Sequence, residues 1–174
     1  MFYGNACPQL AENGVAVGEE DCLYLNVWVP TNATTASAEL LPILFFIHGG
    51  SCTSGAGSLP IYDGTKLALS QNAMVVTINY RLGPFGFLAM QTDVEQKRTT
   101  GNWGLLDQRS AMRWVQREAK AFGGDASRLT IFGESAGALS VCMHLIMPAS
   151  APLFTSAILE SRSCKATPLT AALG

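Results

Sequence analysis

The feature that most constrains this chain is a glycine–serine–glycine pattern at a predicted junction between a strand and a helix. Residues 133–137 read Gly-Glu-Ser-Ala-Gly; they follow the apolar run 129–132 and precede the apolar segment 139–143. In this context the pattern is typical of a sharp turn that presents the serine hydroxyl at the end of a sheet. Ser135 is therefore the candidate nucleophile, and the alternative is a tight strand–helix turn without a chemical role.

The chain contains two histidines, and neither fits the position of a general base for Ser135. His144 lies nine residues further along the same predicted helix. That spacing is about 13 Å at 1.5 Å per residue, much longer than the ~3 Å hydrogen bond that a base requires. His48 precedes two glycines in a predicted loop, where a hydrogen bond within the loop is the favoured interpretation.

The composition favours either one domain with a sheet covered on both faces or a piece of a larger unit. The 174 residues are 48% hydrophobic and 14% charged, with a net charge of -2 and no basic cluster, so nucleic acid is not an expected partner. The longest apolar run, residues 40–47, is too short for a transmembrane helix and contains Pro42. Residues 1–5 do not resemble a signal peptide.

Apolar strand patterns alternate with helical patterns along the chain. Strands are predicted over 23–29, 43–47, 74–78, 129–132 and 157–159, helices over 66–71, from 105 to 123 and from 136 to 145, an irregular turn over 80–88, and polar loops over 31–39 and 91–102. This order predicts an α/β fold with a mostly parallel sheet. Because functional groups gather where such strands end, we expect residues 48–50 and Ser135 to form one site. The last strand is expected to form an exposed apolar edge and to limit solubility.

Further sequence blocks occur in a fixed order between residues 20 and 125. They read Glu-Asp-Cys-Leu-Tyr-Leu-Asn-Val-Trp-Val-Pro, His-Gly-Gly, Tyr-Arg-Leu-Gly-Pro-Phe-Gly-Phe-Leu, Gly-Leu-Leu-Asp-Gln-Arg and Phe-Gly-Gly-Asp. Together with the turn at Ser135, they resemble the N-terminal part of the type-B carboxylesterase and cholinesterase family. The resemblance implies one α/β-hydrolase domain over residues 1–174, incomplete at its C-terminus, with a divergent tail over 161–174.

The resemblance also implies a carboxylic ester hydrolase that forms an acyl-enzyme on Ser135, with a small-molecule ester as substrate and no cofactor or metal. It places the N–H groups of the oxyanion hole at Gly50, Ser51 and Ala136. The family usually has a glycine at position 51, and serine is less comfortable there if φ is positive. Glu134 is expected to turn away from the pocket. Because no triad acid or histidine is visible, little turnover is expected.

An alternative from a different class is a non-catalytic, cholinesterase-like adhesion or binding module. Relatives of that kind typically lack the nucleophile, whereas Ser135 is present. Choline-specific family members carry a tryptophan between the first two cysteines, but residues 8–21 contain no aromatic side chain. A general carboxylesterase or lipase-like hydrolase is therefore favoured over a cholinesterase.

The chain has five cysteines, of which Cys7 and Cys22 resemble the first disulfide of the family. Such a bridge would stabilise the fold by roughly 3 kcal/mol. Cys142 is predicted to be a core residue. Cys52 is predicted to be either a packing residue, which is favoured, or a free thiol near the site. Asn32 begins an Asn-Ala-Thr glycosylation sequon. A disulfide and a sequon favour a secretory origin for the full-length parent, although this chain shows no signal peptide.

Overall fold

A computed structural model describes residues 3–30, 39–89 and 101–164, and its centre is a five-stranded sheet. A separate two-stranded sheet consists of β1 (Gln9–Leu10) and β2 (Ala16–Val17). The large sheet contains β3 (Leu25–Trp28), β4 (Leu41–Ile47), β5 (Met74–Ile78), β6 (Gly124–Glu134) and β7 (Ser156–Glu160). The described α-helices are α1 (Thr65–Gln71), α2 (Gly83–Phe87), α3 (Trp103–Glu118) and α4 (Ala136–Ile146).

The strand order in the large sheet is β3-β5-β4-β6-β7. Strand β4 runs parallel to β5 and β6, and β6 runs parallel to β7, which confirms the predicted mostly parallel α/β sheet. Strand β3 pairs with β5 in the antiparallel direction and forms one edge. Strand β7 forms the other edge, where Ile158 is exposed as expected. Solubility remains a prediction.

The sheet separates two apolar layers. Strand β5 is buried along its whole length, because alternate side chains enter opposite layers. Val76 belongs to the larger core, which includes Met112 of α3 and Val141 of α4. Val75 packs on the other face in a small cluster with Trp28 and Ala68. Helices α3 and α4 therefore cover one face of the sheet, and α1 covers part of the other.

Most element boundaries agree with the sequence predictions, and the differences have local causes. Strand β6 begins at Gly124, five residues before the predicted 129–132 strand, because Gly124 already pairs with Leu41 of β4. The first half of the strand is polar and therefore gives no apolar strand pattern. Residues 83–87 form the short helix α2 instead of an irregular turn, with Pro84 in the first helical turn, where proline needs no N–H partner. Residues 31–38 and 90–100 lie outside the described parts, so the loops predicted there remain predictions.

An ion pair fixes the start of α2 to α3. Arg81 Nε and Nη2 each donate to the Asp107 carboxylate at 2.7 Å. The Arg81 backbone N–H donates to the same carboxylate at 3.1 Å. Asp107 is buried, so this two-pronged arrangement satisfies a carboxylate that would otherwise be costly to bury. The two partners lie 26 residues apart in sequence and meet only in the folded chain.

Candidate active site

Ser135 occupies a strained backbone conformation between β6 and α4. Its φ is 55° and its ψ is -116°, a combination that costs a non-glycine residue on the order of 1–3 kcal/mol. The Ser135 N–H donates to Glu160 O at 3.0 Å, and Ser135 O accepts from Leu139 N–H at 3.1 Å. The junction therefore has the sharp strand–turn–helix geometry that the sequence pattern predicts.

The two glycines that flank Ser135 are required by close backbone contacts. A Cβ atom added at Gly137 would lie 2.0 Å from Ile47 O, and one added at Gly133 would lie 2.5 Å from the Gly137 carbonyl carbon. Both contacts involve backbone that cannot move aside. The glycines thus let α4 start directly against the end of β4, which brings the following loop next to the serine.

We call residues 48–55, which follow β4, the glycine loop. A Cβ atom added at Gly49 would lie 3.3 Å from Ser135 Cβ, so the loop lies in contact distance of the serine side chain. The backbone φ is 96° at Gly50 and 55° at Ser51. The φ of Ser51 is thus positive, which is the condition under which serine was expected to be less favourable than the glycine usual in the family.

The structure brings the four sequence-predicted residues Gly50, Ser51, Ser135 and Ala136 to one edge of the sheet. Gly50 and Ser51 are exposed, and within the described residues neither N–H donates to a backbone carbonyl. Ala136 is the first residue of α4, where an N–H has no acceptor within the helix. Among the described residues, the N–H groups of Gly50, Ser51 and Ala136 therefore have no backbone acceptor.

Long-range hydrogen bonds hold the glycine loop. Tyr80 Oη donates to His48 O at 2.8 Å, and Gly83 N–H donates to Cys52 O at 2.7 Å. Within the loop, Gly50 O accepts from Thr53 N–H at 2.9 Å. Tyr80 and Gly83 lie about thirty residues from the loop in sequence, so the local sequence gives no signal for these two hydrogen bonds.

His48 is buried and is turned into the protein. Its Nδ1 lies 2.8 Å from Gly49 O, and its ring stacks on Tyr80 with a centroid distance of 4.4 Å. Since a carbonyl can only accept, Nδ1 carries the proton and Nε2, which has no partner among the described residues, is the unprotonated nitrogen. Burial lowers the pKa of His48 to about 4, so the ring is neutral near pH 7.

His144 belongs to a buried polar network inside α4 and its neighbours. Its Nδ1 lies 2.9 Å from Ser150 Oγ, and its Nε2 lies 3.0 Å from Gln108 Oε1. Gln108 Nε2 donates to Ser140 Oγ at 3.1 Å, which donates to Ala136 O. Burial, followed by the charge of Arg109, lowers the pKa of His144 to about 4. Both ring nitrogens are therefore engaged away from Ser135.

Glu134 lines a cavity of about 570 Å³ on the α1 face of the sheet. Its Oε2 would lie 2.9 Å from a Cβ atom added at Gly49, so the carboxylate adjoins the glycine loop. The β6 register directs this side chain to the α1 face beside Glu160, and Ser135 does not line this cavity. That Glu134 turns away from the pocket of Ser135 stays a prediction. Burial and the Glu134 charge raise the pKa of Tyr62, which lines the same cavity.

The structure contains two disulfides. Cys7–Cys22 is the bridge that the family resemblance implies. Cys142 was predicted to be a core residue, but it forms a second bridge with Cys164. Sequence alone missed this pair, because the two cysteines meet only when β7 returns beside α4. Cys52 is a free, half-buried thiol whose pKa is raised by burial and lowered to a smaller extent by Arg162.

Three further sequence predictions concern the sequon, a metal site and a membrane span. The glycosylation sequon at Asn32 lies outside the described residues. Within the described ranges no group of three His, Cys, Asp or Glu side chains is arranged to hold a metal ion. In the same ranges no helix combines the length and the apolar character needed to cross a membrane.

Known proteins resemble this chain in both sequence and structure. The model of the carboxylesterase family matches residues 2–171. The chain is 47% identical over 165 residues to para-nitrobenzyl esterase of Bacillus subtilis, which covers 91% of this chain and 32% of that protein. It is 46% identical over 171 residues to acetylcholinesterase of Danio rerio, which covers 91% of this chain and 26% of that protein.

Solved structures give the same relationship. The structure of PNB esterase superposes with a TM-score of 0.81 at 46% identity, covering 93% of this chain and 33% of that one. A carboxylesterase from Geobacillus stearothermophilus gives a TM-score of 0.84 at 44% identity, covering 95% of this chain and 33% of that one. The chain thus spans about a third or less of the length of these relatives. Family model, identity and superposition agree, and the chain belongs to the carboxylesterase family.

Proposed function

We propose that this chain carries the nucleophile and the oxyanion hole of a carboxylic ester hydrolase that works through an acyl-enzyme. Ser135 is the proposed nucleophile, and the backbone N–H groups of Gly50, Ser51 and Ala136 are the proposed oxyanion donors. The single observation that carries this proposal is the strained Ser135 backbone in contact distance of the glycine loop. Strain of this kind persists only where the surrounding structure enforces it.

In the proposed reaction, Ser135 Oγ attacks the carbonyl carbon of the ester while a base removes the hydroxyl proton. The three N–H groups bind the negative oxygen of the tetrahedral intermediate, because they point at developing charge without needing to reorganise. The alcohol then leaves with the proton, and the acyl group stays on Ser135. Water hydrolyses the acyl-enzyme by the same sequence of steps.

We propose that the base and the triad acid come from the part of the domain that corresponds to the remaining length of the relatives. His144 has both ring nitrogens engaged, and His48 is buried with Nδ1 on Gly49 O, which supports this assignment. Removing a triad partner typically costs about 10⁴ or more in rate. Little turnover is therefore expected from residues 1–174 alone.

The proposed substrate is a general carboxylic ester and not a choline ester. Recognition of a quaternary ammonium group uses the face of an aromatic ring, and residues 8–21 within the Cys7–Cys22 loop contain no aromatic side chain. Overall identity does not separate the two classes, since it is 47% to an esterase and 46% to an acetylcholinesterase. The cysteine loop is the discriminating feature.

We also propose one incomplete domain over residues 1–174 with a divergent tail over 161–174, derived from a secreted parent. The bridge between Cys142 and Cys164 attaches the start of this tail to α4. Disulfides persist mainly in oxidising compartments, so two bridges support a secretory origin. Glycosylation of Asn32 in the full-length parent would agree with that origin.

Labelling with a fluorophosphonate probe tests the nucleophile. Because a serine needs a base, the reaction is run with and without imidazole as an external base. We expect Ser135 to be the modified residue by peptide mass spectrometry, with a rate that rises with imidazole. Ser135→Ala should abolish the labelling, and exposed Ser51 serves as the internal control for non-specific modification.

The same experiment distinguishes the alternative class. Equal labelling of Ser135 and Ser51, or no labelling of Ser135 at high imidazole concentration, would contradict the proposed nucleophile. The non-catalytic adhesion or binding module would then be the better interpretation.

A further inference from the structure

We propose that Gln9 is a positioning residue that fixes the glycine loop through Gly55. This inference rests on the proposed function, because the loop matters for chemistry only if Ser135 reacts. Gln9 lies in β1, within the loop closed by the first disulfide, and is far from the reacting atoms in sequence.

The first observation is a pair of hydrogen bonds between the Gln9 carboxamide and the backbone of Gly55. Gln9 Oε1 accepts from Gly55 N–H at 2.8 Å, and Gln9 Nε2 donates to Gly55 O at 2.9 Å. One side chain thus satisfies both the donor and the acceptor of a residue 46 positions away, as a neighbouring strand would. Few other side chains offer a donor and an acceptor in this planar arrangement.

The second observation is that Gly55 lies directly behind the residues that precede the oxyanion donors. A Cβ atom added at Gly55 would lie 2.5 Å from His48 Nδ1 and 3.0 Å from Gly49 O. Gly55 also has a φ of 113°, so it cannot be replaced by a larger residue that would fill this space. A shift of Gly55 therefore displaces His48 and Gly49, and the Gly50 N–H moves with them.

The third observation is that Gln9 itself is held in place. Gln9 Nε2 makes a second bond, to Cys7 O at 3.0 Å, and Gln9 pairs with Val17 in the two-stranded sheet. Cys7 and Cys22 are both buried and bridged. The disulfide loop is thus a rigid support from which the carboxamide reaches the glycine loop.

The decisive variant is Gln9→Glu, because its protonation state switches the hydrogen-bond pair on and off. An ionised carboxylate accepts from Gly55 N–H but cannot donate to Gly55 O. A protonated carboxylic acid has both a donor and an acceptor and restores the pair. We expect the pKa of this glutamate to lie above the usual 4.3, since the Gly55 carbonyl favours the protonated form.

Two readouts are measured on the full chain. The first is the position of the Gly50, Ser51 and Gly55 amide resonances in ¹H–¹⁵N spectra. The second is the rate of fluorophosphonate reaction at Ser135 with imidazole present. Relative to the unchanged chain at the same pH, Gln9→Glu at pH 7 is expected to shift the resonances and to slow labelling about tenfold or more. The resonances should return toward those of the unchanged chain at the same pH as the pH falls through the glutamate pKa, whereas labelling is compared at pH 7, where imidazole can act as a base.

The control is Gln71→Glu, which introduces the same charge at an exposed position on α1 and should change neither readout. Gln9→Ala should shift the resonances at every pH. Unchanged resonances and rate in Gln9→Glu and Gln9→Ala would overturn the inference, as would resonance shifts in Gln9→Glu that acid does not reverse. Shifted resonances in a chain whose Ser135 never reacts would refute the proposed nucleophile and leave the loop-fixing role of Gln9 intact.

Discussion

Ser135 and Ser51 have the same φ of 55°, but the molecule holds these two strained residues by different means. Around Ser135, Gly133 and Gly137 pack backbone against backbone in a buried, closely packed junction. Around Ser51, the chain is exposed and is held by hydrogen bonds from distant residues, among them Tyr80 and Gly83. The turn is thus fixed by close backbone packing, partly against the end of β4, whereas the glycine loop is fixed by hydrogen bonds from distant residues.

This difference has a consequence for how each half of the site can be disturbed. Closely packed backbone tolerates almost no added volume, so a single added carbon atom in the turn at Ser135 should lower the stability of the fold. A hydrogen-bonded exposed loop can shift by small amounts without unfolding, so its perturbations should alter position before stability. The predictions below test this contrast, from the largest expected effect to the smallest.

Acid is expected to destabilise both regions, because each contains a buried neutral histidine. Burial lowers the pKa of His48, in the glycine loop, and of His144, in α4, to about 4. In the unfolded chain a histidine binds a proton near pH 6.5. Between pH 6.5 and 4 the unfolded state therefore binds more protons, and the free energy of unfolding falls by about 3 kcal/mol for each histidine. Urea unfolding at several pH values measures this loss.

The histidine variants assign the acid effect to its region. His48→Gln and His144→Gln should each remove about half of the pH dependence between pH 6.5 and 4, whatever they cost at pH 7. A pH dependence that neither variant reduces would show that the buried rings are not its source.

The next largest effect is expected for Gly137→Ala in the turn. The added Cβ would lie 2.0 Å from Ile47 O, so α4 must move away from β4. Such overpacking should lower the free energy of unfolding by about 3 kcal/mol. The matched control is Gly123→Ala, where the added atom meets nothing within 4 Å but φ is 79°. That variant should cost only about 1 kcal/mol. Equal costs would contradict the packing explanation.

The two disulfides allow a comparison of their supporting roles. Loss of the Cys7–Cys22 or the Cys142–Cys164 bridge should each lower the free energy of unfolding by about 2–3 kcal/mol, since the closed loops have similar lengths. Cys22→Ser should also shift the Gly50 and Gly55 amide resonances, because the first bridge supports the glycine loop. Cys164→Ser should leave those resonances in place. A shift of equal size in both variants would indicate that the two regions are not supported separately.

The smallest expected effects come from replacing the strained serines by glycine. Ser135→Gly should raise the free energy of unfolding by about 1–2 kcal/mol, because glycine relieves the strain of φ 55° and ψ -116°. Ser51→Gly should change it by less than about 1 kcal/mol, because the exposed loop can relax around a strained residue and the packed turn at Ser135 cannot. Thermal unfolding of both variants measures the difference. A larger gain at Ser51 than at Ser135 would reverse the proposed ranking of strain.

Sequence patterns alone predicted the elements that depend on local chemistry. Strand β5 was predicted over its full observed length, because a short continuous apolar run is typical of a strand that is buried on both faces of a sheet. The turn at Ser135 was predicted from two glycines and a serine, and the order of strands and helices predicted a mostly parallel sheet. The contact between residues 48–50 and Ser135 also followed, since parallel strands end at the same edge.

Only the tertiary structure decided the features that join distant residues. The bridge from Cys142 to Cys164, the pairing of Arg81 with Asp107 and the Gln9 contact to Gly55 depend on which elements become neighbours. Sequence spacing carries no information about such neighbours, because each pair meets only after the sheet has assembled. The sequence therefore determined the turn at Ser135 and the sheet, whereas long-range packing and hydrogen bonds decided how the glycine loop is held against that turn.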